Sequence, residues 1–114
     1  MNEDDRLRLQ HMRDFAREVQ SFIAGETRQS LDQDVRLVRA LSMSIGIIGE
    51  AAANLTTEFR DTSPEIPWRS IIGMRNFLIH AYFNVDLDIL WNTASISILQ
   101  LLQQLETLLS DTSD

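Results

Sequence analysis

Apolar residues return at three- and four-residue steps along almost the whole of this chain, and that period decides the class of fold open to it. From Asp4 to Ala24 the positions Met12, Phe15, Ala16, Val19, Phe22 and Ile23 follow this spacing, which places them on one face of an amphipathic helix. Gly25 ends the pattern. Ser30, with Gln33 three residues on, has the form of a capping box and opens a second helix expected to run to about Phe59. One stripe of that helix is Val35, Val38, Leu41, Ile45, Ile48, Ala52, Leu55 and Phe59. A neighbouring stripe, Ser42, Gly46, Gly49, Glu50 and Ala53, is almost all small. Glycine inside a helix costs ~1 kcal/mol relative to alanine, so two of them predict that another backbone comes close.

The strongest interruption is DTSPEIPW, which holds both prolines of the chain. Pro67 suits the first turn of a third helix, where its missing N–H is not needed. Asn84 and Asp86 supply turn and N-cap chemistry, and a final amphipathic helix follows them. No alternating strand pattern, repeat or low-complexity tract competes with this reading. Short connections between such segments predict an all-α, antiparallel four-helix bundle with room for an extra short helical turn. The last helix carries Ile89, Leu90, Ile96, Ile98, Leu99, Leu101, Leu102, Leu105, Leu108 and Leu109, spread wider than one stripe. A helix apolar on several sides is buried on several sides, so self-association is expected.

A length of 114 residues points to one domain over 1–114, with short polar tails at about 1–4 and 110–114. The absence of cysteine excludes disulfides, thiol chemistry and Cys-based metal sites. The acidic start MNEDDRLRLQ is the reverse of a secretory signal, and no apolar run reaches the ~20 residues of a membrane span. A cytoplasmic protein is expected. The formal net charge is −7, and all ten basic residues are arginines. A field of that sign repels a phosphate backbone. Any contact with RNA therefore needs a local arginine-lined site, such as one built at a dimer seam.

The third helix carries MRNFLIHAYFNVD from Met74 to Asp86, with the chain's only tyrosine. At ~100° per residue, Arg69, Gly73, Asn76 and His80 fall along one edge, while Ile71, Met74, Leu78 and Ala81 line another. Arg75 and His80, five apart, stand ~140° from each other around an ideal helix. They suit a shared phosphate, or a meeting across a two-fold axis, better than a bond to one another. A lone histidine after Phe-Leu-Ile would ordinarily be a hydrogen-bonded core or helix-end residue. Here an arginine, a glycine gap and Tyr82 accompany it.

The spacing Arg75-x4-His80-x-Tyr82, with polar Asn76 directly after the arginine, resembles the Arg-x4-His-x-Tyr motif of the HEPN superfamily and of its HepT toxin branch. The stretches IIGEAAANLTTEF and EIPWRSIIGMRNFLIHAYFNVDLDILW extend the resemblance over roughly Ile47 to Trp91. The resemblance implies an all-α domain that pairs through its motif-bearing region and acts as a metal-independent RNase, without a cofactor. It also implies a partner, an MntA-like nucleotidyltransferase antitoxin that neutralises the toxin by adding AMP units to the motif tyrosine. Carried over, Arg75 and His80 are catalytic and Tyr82 is the AMP acceptor.

Such a reaction is chemically sound for these side chains. Cleaving RNA without a metal requires deprotonation of the 2′-hydroxyl, protonation of the leaving 5′-oxygen and stabilisation of charge around phosphorus. Histidine suits proton transfer near neutrality, and arginine offers a fixed fork of donors to phosphate oxygens. One protomer holds one motif histidine for two proton transfers. A symmetric dimer supplies the second.

Asn76 either orients the imidazole, binds phosphate or simply faces solvent. Glu50, among small residues, is expected to hold Arg75 or another nearby arginine, or else to form a structural ion pair. Arg69 is a candidate for the RNA backbone or a solvated surface residue. Tyr82 has three readings: a phenol packed at a helix end, a participant near the scissile phosphate, or the nucleotidyl acceptor. AMP there would add bulk and negative charge where RNA phosphate must bind. His11 reads as a surface residue, and Asp86 and Asp88 read as helix-start residues favoured by the dipole. No zinc pattern, P-loop, dinucleotide fingerprint or serine elbow is present. The competing functional class is a non-catalytic HEPN helical module that binds a nucleotidyltransferase or a nucleotide.

Overall fold

The computed structural model describes residues 1–80 and 85–111, with Ile79, His80 and Asp111 described by their backbone alone. Ala81, Tyr82 and Asn84, named above, lie outside the described residues. Among the described residues every regular element is helical: α1 (Glu3–Ile23), α2 (Ser30–Gln33), α3 (Val35–Ala53), α4 (Thr57–Asp61), α5 (Trp68–Gly73), α6 (Asn76–His80), α7 (Leu87–Asn92), a π-helical stretch (Thr93–Ser97) and α8 (Ile98–Asp111). The architecture is all-α, as the periodicity predicts.

The helix α1 starts inside the stretch expected to be a polar tail, because the Asn2 side chain accepts from the Asp5 N–H at 2.7 Å and caps it. It ends where Gly25 takes a φ of 77°, a conformation glycine adopts without the steric cost of a Cβ.

The expected second helix is three elements. Asp34 breaks it with an extended backbone and caps α3 by accepting from Leu37 N–H at 3.1 Å. The expected capping box at Ser30 does not form. Its hydroxyl accepts instead from the Thr27 N–H at 3.0 Å, and α2 has no side-chain cap. At the far end Thr56 caps α4 by accepting from Phe59 N–H at 3.1 Å. The Trp68 indole N–H then donates to the carbonyls of Arg60 and Ser63 at 3.1 and 3.0 Å, and its ring meets Phe59 edge-on at 6.3 Å. These contacts hold the proline-containing turn and aim α5.

The third helix is also divided. Pro67 sits one position outside α5 as its N-cap. Around Arg75 the N–H groups of Met74, Arg75, Phe77 and Leu78 donate to carbonyls three residues back, not four. This tighter winding separates α5 from α6.

At the last segment Asp86 caps α7, accepting from Asp88 and Ile89 N–H groups at 3.0 and 3.1 Å. The π-helical stretch has a packing reason. Leu90, Ala94 and Ile98 are all fully buried, yet at ~100° per residue Leu90 and Ile98 would stand ~80° apart around an α-helix. A wider turn absorbs the excess and returns them to one face.

Helix α1 lies between α3 and α8, and α3 carries α5 and α6 on its other flank. The α1–α3 pair is antiparallel and latched at one end. Buried Asp5 accepts from the Thr56 N–H at 2.9 Å and from its hydroxyl at 2.7 Å. The predicted stripe of α3 and α4 is core, except that Val35 stands 60% exposed at the first turn. On the last segment Leu90, Ile98, Leu101, Leu102, Leu105 and Leu109 are buried, while Ile89, Ile96 and Leu99 remain exposed.

Candidate active site

The candidate site is set by a pair of glycines. A Cβ on Gly49 would lie 2.4 Å from the Arg75 nitrogen and 2.8 Å from the Ile71 carbonyl oxygen, and one on Gly46 would lie 2.6 Å from Leu78 Cβ. The backbone approach predicted from the small stripe therefore exists, and the approaching chain is the motif segment itself. As Gly49 faces Arg75 and Gly46 faces Leu78, α6 runs antiparallel to α3 and carries the His80 backbone toward the N-terminal half of α3.

Arg75 belongs to the tight turn between α5 and α6, with its backbone held against Gly49 and its side chain exposed. Its guanidinium makes no hydrogen bond or ion pair with a described residue. An exposed arginine without a partner among the described residues is a ready anion contact. The winding of this turn also corrects the expected continuous edge. Arg69 and Gly73 lie on α5 and are exposed, whereas Asn76 and His80 belong to α6 beyond the turn. Asn76 is exposed at the first position of α6.

Glu50 is one position from Gly49, yet its carboxylate is exposed and forms no ion pair with a described residue. The expected link between Glu50 and Arg75 is not made among these residues. An exposed carboxylate needs no partner, because water solvates it. The side chain of His80 and the whole of Tyr82 lie outside the described residues, so Arg75, Asn76, Glu50 and Arg69 are the motif-face side chains the structure locates. His11 is exposed on α1. Among the described residues no three His, Cys, Asp or Glu side chains converge as a metal site.

The chain leaving the motif is braced from outside by a residue that sequence reasoning missed. Arg28 donates through Nε to Asp88 at 2.6 Å and through Nη1 to Asp32 at 3.2 Å, joining the α1–α2 connection to the first turn of α7. The Asp88 hydrogen bond raises the Arg28 pKa, opposed by desolvation and supported by Asp32. Asp88 thus has a tertiary role beside its place in the first turn of a helix. No local spacing announces it, since Arg28 and Asp88 are 60 residues apart. The Asp5–Thr56 latch was missed for the same reason.

A model of the HepT-like ribonucleases matches residues 12–108, which contain every element of this site. The chain belongs to that family. The HepT-like chain is 40% identical over 87 residues to the "Putative RNase" of Caldanaerobacter subterraneus subsp. tengcongensis, covering 76% of this chain and 78% of that protein. It is 37% identical over 102 residues to the "Probable ribonuclease HepT" of Thermococcus cleftensis, covering 88% and 84% respectively. A protein of Methanocaldococcus jannaschii named "Gamma-glutamylcyclotransferase and putative RNase" is 31% identical over 105 residues, covering 92% of this chain and 47% of its own length. No solved structure matches the chain. Among the described residues of this HepT-like protein no helix is long and apolar enough to cross a membrane.

Proposed function

We propose that this HepT-like protein is a metal-independent endoribonuclease, active as a homodimer or higher homo-oligomer, and the toxin of a toxin–antitoxin pair. The observation that carries the reading is Arg75, held by backbone contact with Gly49 and presenting an exposed guanidinium, without a partner among the described residues, at the fixed motif spacing from His80. Family membership supports the reaction class.

In the proposed reaction His80 acts as a base on the ribose 2′-hydroxyl. The oxygen attacks the adjacent phosphorus, the bond to the 5′-oxygen breaks, and a 2′,3′-cyclic phosphate forms. The departing oxygen takes a proton from His80 of a second copy, and Arg75 binds the phosphorus oxygens as their charge grows. Asn76 and Arg69 are phosphate or backbone contacts beside this centre, and Glu50 is a supporting residue through solvent or through a residue of the second copy. The exposed Ile89, Ile96 and Leu99 support self-association, since exposed apolar side chains favour burial. Tyr82 is the proposed AMP acceptor for an MntA-like nucleotidyltransferase, whose product would block the phosphate site by bulk and charge.

The deciding experiment incubates purified protein with total RNA in excess EDTA, beside Arg75→Ala and His80→Ala, after mass measurement has excluded an adduct on Tyr82. Cleavage by the wild type alone supports the nuclease. No cleavage, or equal cleavage by the folded variants, favours the non-catalytic binding module.

A further inference from the structure

Away from the motif, the first helix builds a second feature that the proposed reaction does not use. Arg6, Gln10, Arg13 and Arg17 follow one another at four-, three- and four-residue steps, so they share one face of α1. Together with Glu106 and Ser110 near the end of α8 they line a groove of about 260 Å³. Among its described lining residues, three guanidinium groups and one carboxylate give a formal charge of +2, in a chain whose net charge is −7. No residue of this groove belongs to α5 or α6.

We propose that this groove is a second RNA-backbone subsite, which holds the phosphates of a substrate strand outside the cleavage centre. The proposal rests on the nuclease reading for the identity of its ligand. At ~1.5 Å per residue the row from Arg6 to Arg17 is ~16 Å long, enough to meet more than one phosphate of a single strand. Arg13 engages Asp14 through Nε at 3.2 Å, and its terminal nitrogens bond no described residue. Arg17 is held by Glu106 at 3.1 Å, with both side chains about half exposed. Such a pair contributes little in water, so a phosphate can replace the carboxylate as the partner. The planar fork of each guanidinium matches phosphate oxygens, while Gln10 and Ser110 are neutral polar lining. A docked peptide would want an apolar anchor, and the groove offers little beyond one leucine.

The test measures binding of a 2′-O-methyl RNA oligonucleotide, whose nucleophile is blocked, to the full chain by fluorescence anisotropy across a salt series. Arg13→Gln is expected to weaken binding about 3- to 10-fold and to reduce the slope of log K against log salt by about 0.7. Glu106→Gln, which frees Arg17 and removes the one carboxylate among the described lining residues, is expected to tighten binding about 2- to 5-fold. A gain from Glu106→Gln is not what a purely structural ion pair would produce. Absence of oligonucleotide binding by the wild type overturns the subsite, as do unchanged affinities in both variants. So does weakening by Glu106→Gln together with a lower melting temperature, which would reduce the arginines to props for the end of α8. Cleavage of total RNA by the same samples separates the two readings. Wild-type cleavage with unchanged binding in the variants removes the subsite and spares the nuclease, and the expected binding changes without cleavage do the reverse.

Discussion

Replacing Gly49 with alanine would set a Cβ 2.4 Å from the Arg75 nitrogen, and the obstacle is backbone that cannot rotate aside. The substitution is expected to destabilise by about 1–3 kcal/mol and to reduce RNA cleavage by displacing Arg75. Gly73, two residues before Arg75, has open space where its Cβ would be. Gly73→Ala should therefore be neutral or stabilising by up to about 1 kcal/mol in urea denaturation. The opposite signs would separate glycines required for backbone approach from one that merely lies in a helix. Arg75→Ala, at an exposed side chain without a partner among the described residues, should change stability by less than about 0.5 kcal/mol. Its loss of cleavage would then report chemistry and not unfolding. The two glycines were legible in the sequence as a sign of close packing. That the passing backbone would be the motif's own depends on how α6 docks on α3.

At the scale of elements, the helices end where side chains compete for backbone hydrogen bonds. Asp34, Thr56 and Asp86 each cap a helix start, and of these only Asp86 stands out from the sequence, because it follows an obvious turn. Asp34 and Thr56 lie inside a pattern whose apolar period continues through them. Periodicity shows which residues face the core and is silent about a short break that preserves that face. Asp5 illustrates the tertiary counterpart, with its carboxylate buried and accepting from both Thr56 donors. Asp5→Ala would leave the N–H and hydroxyl of half-buried Thr56 without their partner and is expected to cost about 1–3 kcal/mol. In a double-mutant cycle with Thr56→Val the part of the two losses due to the hydroxyl–carboxylate hydrogen bond should not add, whereas the α4 cap that Thr56→Val also removes is a separate loss. Fully additive losses would mean that the hydroxyl–carboxylate bond contributes nothing to the latch.

At the scale of the whole molecule, one copy offers one Arg75 and one His80, whereas the proposed reaction needs two proton transfers. Dimers that combine a wild-type and a His80→Ala protomer are expected to lose most activity. Full activity in the mixed dimer would remove the two-histidine mechanism. The exposed Ile89, Ile96 and Leu99 make the same dependence accessible through association. Ile96→Glu should shift the protein toward smaller species in sedimentation if these side chains are buried between copies, with little effect on the melting temperature of an isolated chain.

The amino-acid order by itself determined that this protein is helical, where its longest helices lie and which of their faces are buried. Those properties follow from a period of 3.6 residues, which is local. The HepT-like motif was equally visible, because its spacing and flanks are contiguous in the chain. Only the tertiary structure decided that Gly46 receives α6 and Gly49 the α5–α6 turn, that the turn tightens around Arg75, and that Glu50 stays in solvent. It alone joined Arg28 to Asp88, Asp5 to Thr56, and the arginines of α1 to the end of α8. Each of these depends on the relative placement of segments distant in sequence, which packing and desolvation choose and no local period encodes.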